Sequence, residues 1–194
     1  MNIIYNNYNN YTMEVNKVEI DWAPRRPKLR YTEINGKREG ALTEWWDNHQ
    51  VKLTCNYHDG LLHGGYIEWW PDGCKRAEYM YVAGERDGPA KTYHRSGLPE
   101  STRNYVAGKL HGEYHEWWPN GNKRTECGYA DDLREGKYIS WHSTGGVFVE
   151  ANYHLGFDHG VRLMRNVDGS LLWHSRYHNG KKVEELIKMP SYAG

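Results

Sequence analysis

The sequence has few of the residues from which an ordinary globular core is built. Among 194 residues there are only 2 Phe, against 16 Tyr and 9 Trp, and hydrophobic residues of all kinds make up 38%. A core of packed aliphatic side chains needs a larger apolar share than this. The composition therefore favours a thin architecture in which aromatic side chains shield the backbone.

Net charge, long apolar runs and an even set of cysteines are also missing. The 25 basic and 25 acidic residues cancel, which argues against a general polyanion-binding protein. No apolar run reaches the 18 residues that suggest a membrane-spanning helix, and residues 1–17 are too polar for a signal peptide. Cys55, Cys74 and Cys127 are an odd number without metal-ligand spacing, so we expect reduced thiols in a cytoplasmic protein.

Glycine, in contrast, is abundant and recurs at fixed intervals. A 24-residue period runs without insertion from residue 33 to 183, which is typical of a repeat architecture. The first glycine position of each repeat is occupied by Gly36, Gly60, Gly84, Gly108, Gly156 and Gly180, with Asp132 in the remaining place. The six full repeats are 33–56, 57–80, 81–104, 105–128, 129–152 and 153–176.

Each repeat predicts two strands joined by short turns, with Gly65–Trp70 and Lys75–Val82 as one example. We expect the Pro-Asp-Gly and Pro-Asn-Gly turns after the tryptophan pair to supply two residues with positive φ. The predicted fold is all-β: an elongated, single-layer antiparallel meander of tandem β-hairpins, with about thirteen strands spaced ~4.8 Å apart.

The two ends depart from the repeat pattern. Residues 1–17 predict a flexible Asn- and Tyr-rich arm, and 18–182 contain the repeat array with partial end units. The tail 183–194 predicts a cap in which Val183, Leu186 and Ile187 share one face of a short helix. Such a helix would cover the last open strand edge.

The segment Tyr105–Gly121 has the pattern Y-x-x-G-x-x-x-G-x-Y-x-x-W-W-P-N-G. It resembles the MORN repeat family, in the variant with a Trp and an Asn-Gly or Asp-Gly turn that occurs in YwqK-type antitoxin-like proteins. The tandem matches cover about 150 of 194 residues. The resemblance implies a β-hairpin ribbon with a binding or scaffolding role, and it carries no catalytic residues.

The departures from this family pattern are Asp132, the turn "HSTGG" and Arg165-Asn166 at the Trp pair. Large DNA viruses encode many arrays of this kind, and the Asn- and Tyr-rich start of the chain suits such an origin. A viral source would place the protein in the virion or the host cell.

The adjacent tryptophans predict two aromatic faces, because successive side chains of a strand point to opposite sides. The structural spine is predicted to consist of Trp45, Trp69, Tyr93, Trp117 and Trp141. The opposite face, predicted to bind a partner, carries Tyr66, Trp70, Tyr114, Trp118 and Tyr138. A large aromatic stripe without a covering layer is typical of an interaction surface.

Other chemistries fit the sequence less well. His63, His111 and His159 share one repeat position and would lie ~9–10 Å apart, too far to ligate one metal ion. No nucleophile has a patterned base near it, and Cys74 and Cys127 are expected to be ordinary buried thiols. The sequence therefore predicts no catalytic, cofactor or metal site.

The sequence favours a non-catalytic protein-interaction or scaffold module that binds a partner protein or itself. One alternative, from the resemblance alone, is an antitoxin-like binder that neutralises a partner. Another is a scaffold apposed to an anionic membrane, because Lys75-Arg76 and Lys123-Arg124 recur beside aromatics. Acidic neighbours and the neutral net charge argue against nucleic acid as the ligand.

Overall fold

Strands and turns make up the whole described part of the protein. The computed structural model describes residues 2–6, 12–23 and 26–188. In these residues every regular element is a β-strand, and consecutive hairpin strands pair antiparallel. The structure thereby confirms the predicted all-β meander of hairpins.

The chain divides into two compact units, of which the first is Met1–Gly97. Its strands pair in sequence order from β1 to β7, and β7 then pairs with both β8 and β9. The strands are β1 (Asn2–Asn6), β2 (Thr12–Ala23), β3 (Arg26–Ile34), β4 (Lys37–Trp45), β5 (Val51–His58), β6 (Leu61–Trp69), β7 (Lys75–Val82), β8 (Glu85–Arg86) and β9 (Gly88–Tyr93).

The second unit is Leu98–Gly194 and repeats the same hairpin plan. Both β10 and β15 pair with a two-residue strand and with the longer strand after it. The strands are β10 (Pro99–Val106), β11 (Lys109–Leu110), β12 (Gly112–Trp117), β13 (Lys123–Ala130), β14 (Leu133–Trp141), β15 (Val147–His154), β16 (Phe157–Asp158), β17 (Gly160–Arg165), β18 (Leu171–His178) and β19 (Lys181–Lys188).

The first residues of the chain contribute to the sheet of the first unit. The segment predicted as a flexible arm, 1–17, contains β1 and the beginning of β2. These two strands pair antiparallel from Asn2 opposite Asn16 to Asn6 opposite Thr12.

The predicted C-terminal helix is wrong, because residues 181–188 form β19. This strand pairs with β18, and the register shifts twice along the pair. The shifts break the strict alternation of a strand, which explains why Val183, Leu186 and Ile187 are spaced like one helical face. Pairing with the open edge of β18 satisfies backbone groups that an isolated turn of helix would leave to water.

Two kinds of turn alternate, and only one of them has two residues with positive φ. In the turns before the second glycine position, both central residues have positive φ, as at Ala83 (48°) and Gly84 (88°). This is the type I′ geometry of two-residue hairpins. In the Pro-Asp-Gly and Pro-Asn-Gly turns at 71–73 and 119–121, only the glycine has positive φ. Asp72 instead accepts a hydrogen bond from the Cys74 N–H (3.1 Å), which corrects the prediction for these turns.

A β-bulge precedes the first tryptophan position of five repeats, for example between Glu68 and Trp69. Because of the extra residue, Arg76 shares a face with its neighbour Ala77 instead of pointing to the other side. In each unit the buried residues lie on one face, which carries Tyr66 in the first unit and Tyr114 and Tyr138 in the second, and which we call the tyrosine face. Apart from Leu42 and Tyr105 they are small or medium-sized: Leu42, Cys55, Ala77 and Ala90 in the first unit, and Ser101, Tyr105, Cys127, Ser140, Val149, Ala151 and Ser175 in the second.

Candidate partner-binding face

Three tyrosines of the predicted binding face occupy equivalent places on the tyrosine face. Tyr66, Tyr114 and Tyr138 lie on β6, β12 and β14, and all three are half-buried. Each ring packs against a tyrosine of the following repeat, with centroids 5.6 Å apart for Tyr66–Tyr81, 5.8 Å for Tyr114–Tyr129 and 5.6 Å for Tyr138–Tyr153. These are ordinary distances for tilted and edge-to-face aromatic pairs.

The two tryptophans of the predicted binding face are covered by arginines. The Arg76 guanidinium lies 4.8 Å from the Trp70 ring, and that of Arg124 lies 4.6 Å from the Trp118 ring. Each arginine also pairs with a glutamate of the same face, Arg76 with Glu68 (3.4 Å) and Arg124 with Glu116 (3.0 Å). The bulge makes this arrangement possible by placing the arginine beside the ring.

The second tryptophan of a pair also links neighbouring repeats. The Trp46 indole N–H donates to the Trp69 carbonyl (3.1 Å), and that of Trp118 donates to the Trp141 carbonyl (3.2 Å). At the same position of the next repeat, the His142 Nε2 lies 3.0 Å from the Arg165 carbonyl. The Trp70 indole N–H is the exception, since it is buried without a hydrogen-bond partner. Trp118 therefore contributes to the structure as well as to the face.

Several of the residues predicted as the spine contact charged groups on the side of the sheet that faces away from the tyrosine face. The Lys123 ammonium lies 5.5 Å from the Trp141 ring, and the Arg30 guanidinium 5.7 Å from the Trp45 ring. The Tyr93 hydroxyl donates to Glu78 (3.3 Å). The strand partner of Trp69 is Lys75. Trp117 is half-buried and lies 6.0 Å from the His115 ring.

A row of arginines on the tyrosine face was not identified from the sequence. Arg38 lies between Tyr31 (4.9 Å) and Tyr57 (5.3 Å), and Arg134 lies between Tyr138 (5.0 Å) and Tyr153 (5.3 Å). The same repeat position carries Arg38, Leu62, Arg86, Leu110, Arg134 and Asp158 in turn. A 48-residue alternation at this position was the signal that would have revealed it.

The arginines of this row remain charged. Burial acts to lower the pKa of Arg134, but a hydrogen bond with Tyr129 and the nearby Tyr153 hydroxyl hold it above the ordinary value. A hydrogen bond from Arg38 to Tyr57 likewise raises the pKa of Arg38.

Each unit has an open cavity on the tyrosine face. The cavity of the second unit has a volume of about 380 Å³ and includes Tyr114, Trp118 and Tyr138 in its wall, together with Arg134 and Glu116. Trp141 also lines it, although the sequence placed this residue on the opposite face. The cavity of the first unit has about 210 Å³ and is lined in part by Tyr66, Glu68 and Arg76.

The histidines pair with acids at the turn edge. Glu39 lies 3.0 Å from the His58 ring, and Glu135 lies 3.0 Å from the His154 ring. This hydrogen bond lowers the pKa of Glu39 and raises the pKa of His58. The described residues contain no group of three or more His, Cys, Asp or Glu side chains placed to hold a metal ion.

The cysteines differ in exposure. Cys55 and Cys127 are buried, and burial raises the pKa of both thiols. A raised pKa reduces the thiolate fraction and hence the reactivity. Cys74 was predicted to be buried but is exposed, because it follows the Asp-Gly turn at the hairpin end.

No helix in the described ranges has the length and apolar character needed to cross a membrane. Comparison with models of known protein families gives no match, and none of the curated proteins matches the chain.

Proposed function

We propose that this protein is a non-catalytic interaction module that binds a partner protein on its tyrosine face. The observation that carries the proposal is the cavity of the second unit, which is lined by Tyr114 and Trp118 of one repeat and by Tyr138 of the next repeat. Tyrosine, tryptophan and arginine are the residues that dominate protein-binding hot spots. All three kinds line this cavity.

The packing of these side chains also suits binding. Rings held by neighbouring tyrosines and arginines lose little conformational freedom when a partner binds. A face that is already ordered therefore presents its aromatic groups at low entropic cost.

The ion pairs support a protein partner over an anionic membrane. Lys75 pairs with Glu78 (2.6 Å) and Lys123 with Glu126 (2.7 Å), while Arg76 and Arg124 pair with Glu68 and Glu116. Basic residues neutralised in this way attract lipid head groups weakly.

Site-specific photo-crosslinking in the native source tests the proposal. A photoreactive amino acid replaces Tyr138 on the tyrosine face or, as the matched control, its neighbour Ile139 on the opposite face. We expect a crosslinked partner polypeptide from position 138 and little or none from position 139, with both variants folded by circular dichroism. Equal crosslinking from both positions, or from 139 alone, would contradict the proposal.

A further inference from the structure

Among the described residues of the second unit, two arginines lack an acidic partner. Of its six arginines, four pair with carboxylates: Arg124 with Glu116, Arg162 with Asp158, Arg165 with Glu150 and Arg176 with Glu184. Arg103 and Arg134 form no ion pair within 4.0 Å among the described residues. Their partners are neutral oxygens and aromatic rings.

Arg103 has an unused donor in a buried position. One of its terminal nitrogens donates to the Ser101 hydroxyl (2.6 Å), and its guanidinium lies 5.7 Å from the Tyr114 ring. Its Nε is buried and has no hydrogen-bond partner. A buried unsatisfied donor on a cation is costly, and an anion beside the partly exposed Arg103 side chain would offset part of that cost.

Arg134 is held in place and still has donors to offer. It is fixed between the Tyr138 and Tyr153 rings, and one terminal nitrogen donates to the Tyr153 hydroxyl (3.4 Å). A guanidinium carries five N–H donors, and two of them form a fork that matches one carboxylate. Arg134 also lines the cavity of about 380 Å³.

The two arginines lie at a spacing that suits an extended chain. Arg103 is on β10 and Arg134 on β14, with β12 and β13 between them, and Tyr114 and Tyr129 pack edge-on in the gap (5.8 Å). Three strand steps correspond to ~14 Å measured across the strands. An extended peptide rises ~3.3 Å per residue, so side chains four residues apart span about this distance.

We propose that this surface binds an extended acidic segment of a partner protein, with one carboxylate on Arg103 and another, about four residues away, on Arg134. The proposal rests on the proposed interaction function and specifies the chemistry of the partner. A nucleic acid fits less well, because the arginines and tyrosines already cover ring faces that bases would stack on.

Fluorescence anisotropy with a labelled synthetic peptide tests the inference. The peptide has about ten residues, with two glutamates separated by three small polar residues, and the control peptide has glutamines in their place. We expect the diglutamate peptide to bind about 25-fold more tightly, because it makes two charge-assisted contacts of about fivefold each. We also expect its affinity to fall between ~50 mM and ~300 mM salt.

Arginine variants locate the contact. Arg134→Gln and Arg103→Gln should each lower the binding affinity for the diglutamate peptide at least about fivefold. The matched control Arg162→Gln, which removes a cation already paired with Asp158, should leave the affinity unchanged. Arg134→Lys should recover part of the affinity, which separates loss of charge from loss of fold.

Equal binding of the two peptides, or unchanged affinity in both glutamine variants, would overturn the inference. Tighter, arginine-dependent binding of a single-stranded oligonucleotide of similar length would overturn it in favour of nucleic acid. If the diglutamate peptide does not bind while position 138 still crosslinks to a partner polypeptide, the proposed acidic segment is wrong and the interaction function stands. If both fail, both proposals are wrong.

Discussion

At the scale of single residues, the paired tryptophans have unequal roles that the repeat pattern conceals. Trp70 and Trp118 occupy the same repeat position and both lie beneath an arginine. Only the Trp118 N–H reaches a carbonyl of the next repeat, whereas the Trp70 N–H is buried without a partner. Equivalent positions in a repeat protein therefore need not contribute equally to stability.

Replacing each of these tryptophans by phenylalanine measures the difference. Trp118→Phe loses a hydrogen bond and leaves the Trp141 carbonyl without that donor, whereas Trp70→Phe removes a donor that is already unsatisfied. Since both variants lose the same ring volume, we expect Trp118→Phe to lower the free energy of unfolding by about 1–2 kcal/mol more. Urea denaturation of both variants provides the measurement, and equal losses would show that the indole hydrogen bond contributes nothing.

Leu155 has a left-handed backbone conformation that is unfavourable for leucine. It has φ of 49° in a type I′ turn, and 57% of its surface is exposed. Asparagine is favoured in this position of such turns. We expect Leu155→Asn to raise the free energy of unfolding by about 0.5–1 kcal/mol, because the backbone strain is relieved.

The control for this change is Val106→Asn, at an exposed strand end outside the positive-φ region. It should give no increase in the free energy of unfolding, because asparagine is less favourable than valine in a strand. An equal increase in thermal stability for both variants would mean that removal of exposed apolar surface, and not backbone strain, is responsible.

At the scale of the strands, the close approach of β13 and β14 depends on Gly128. A Cβ at this residue would lie 2.7 Å from the Glu135 carbonyl oxygen, whereas at Gly65 it would meet nothing within 4 Å. We expect Gly128→Ala to lower the free energy of unfolding by about 1–3 kcal/mol, because the backbone must move to remove the clash. Gly65→Ala should change the free energy of unfolding by no more than about 0.5 kcal/mol.

Thermal unfolding followed by circular dichroism compares the two glycine variants. If Gly128→Ala is as stable as Gly65→Ala, the pairing of β13 with β14 is looser at this point than the register indicates.

Much of the strand pattern could be read from the sequence, because the 24-residue period fixes where each hairpin turns. The run Lys75–Val82 was predicted with the bounds that β7 has. The bulges could not be read in the same way, since they depend on how a tryptophan and the residues after the turn pair across two strands. They place Arg76 and Arg124 over Trp70 and Trp118, so the face is more polar than the aromatic pattern suggested.

At the scale of the whole molecule, a meander of repeats transmits perturbations mainly to adjacent repeats. The central residue Trp117 is half-buried and not fully buried, so we expect Trp117→Ala to cost about 2–3 kcal/mol, at or below the range for buried aromatics. Amide hydrogen exchange should increase in β12, β13 and β14 and stay unchanged in β4, β5 and β6. A uniform increase throughout the chain would indicate one cooperative core.

The arginine row makes neighbouring repeats differ in an alternating pattern. Arginine at positions 38, 86 and 134 alternates with leucine at 62 and 110, so odd and even repeats are chemically different. Duplication of a single arginine repeat would set two arginines in adjacent repeats and bring like charges together, whereas duplication of a pair of repeats would preserve the alternation. From 38 to 134 the side-chain pattern of this row therefore repeats every 48 residues, twice the 24-residue structural repeat, and we expect lengthening of the array to proceed two repeats at a time.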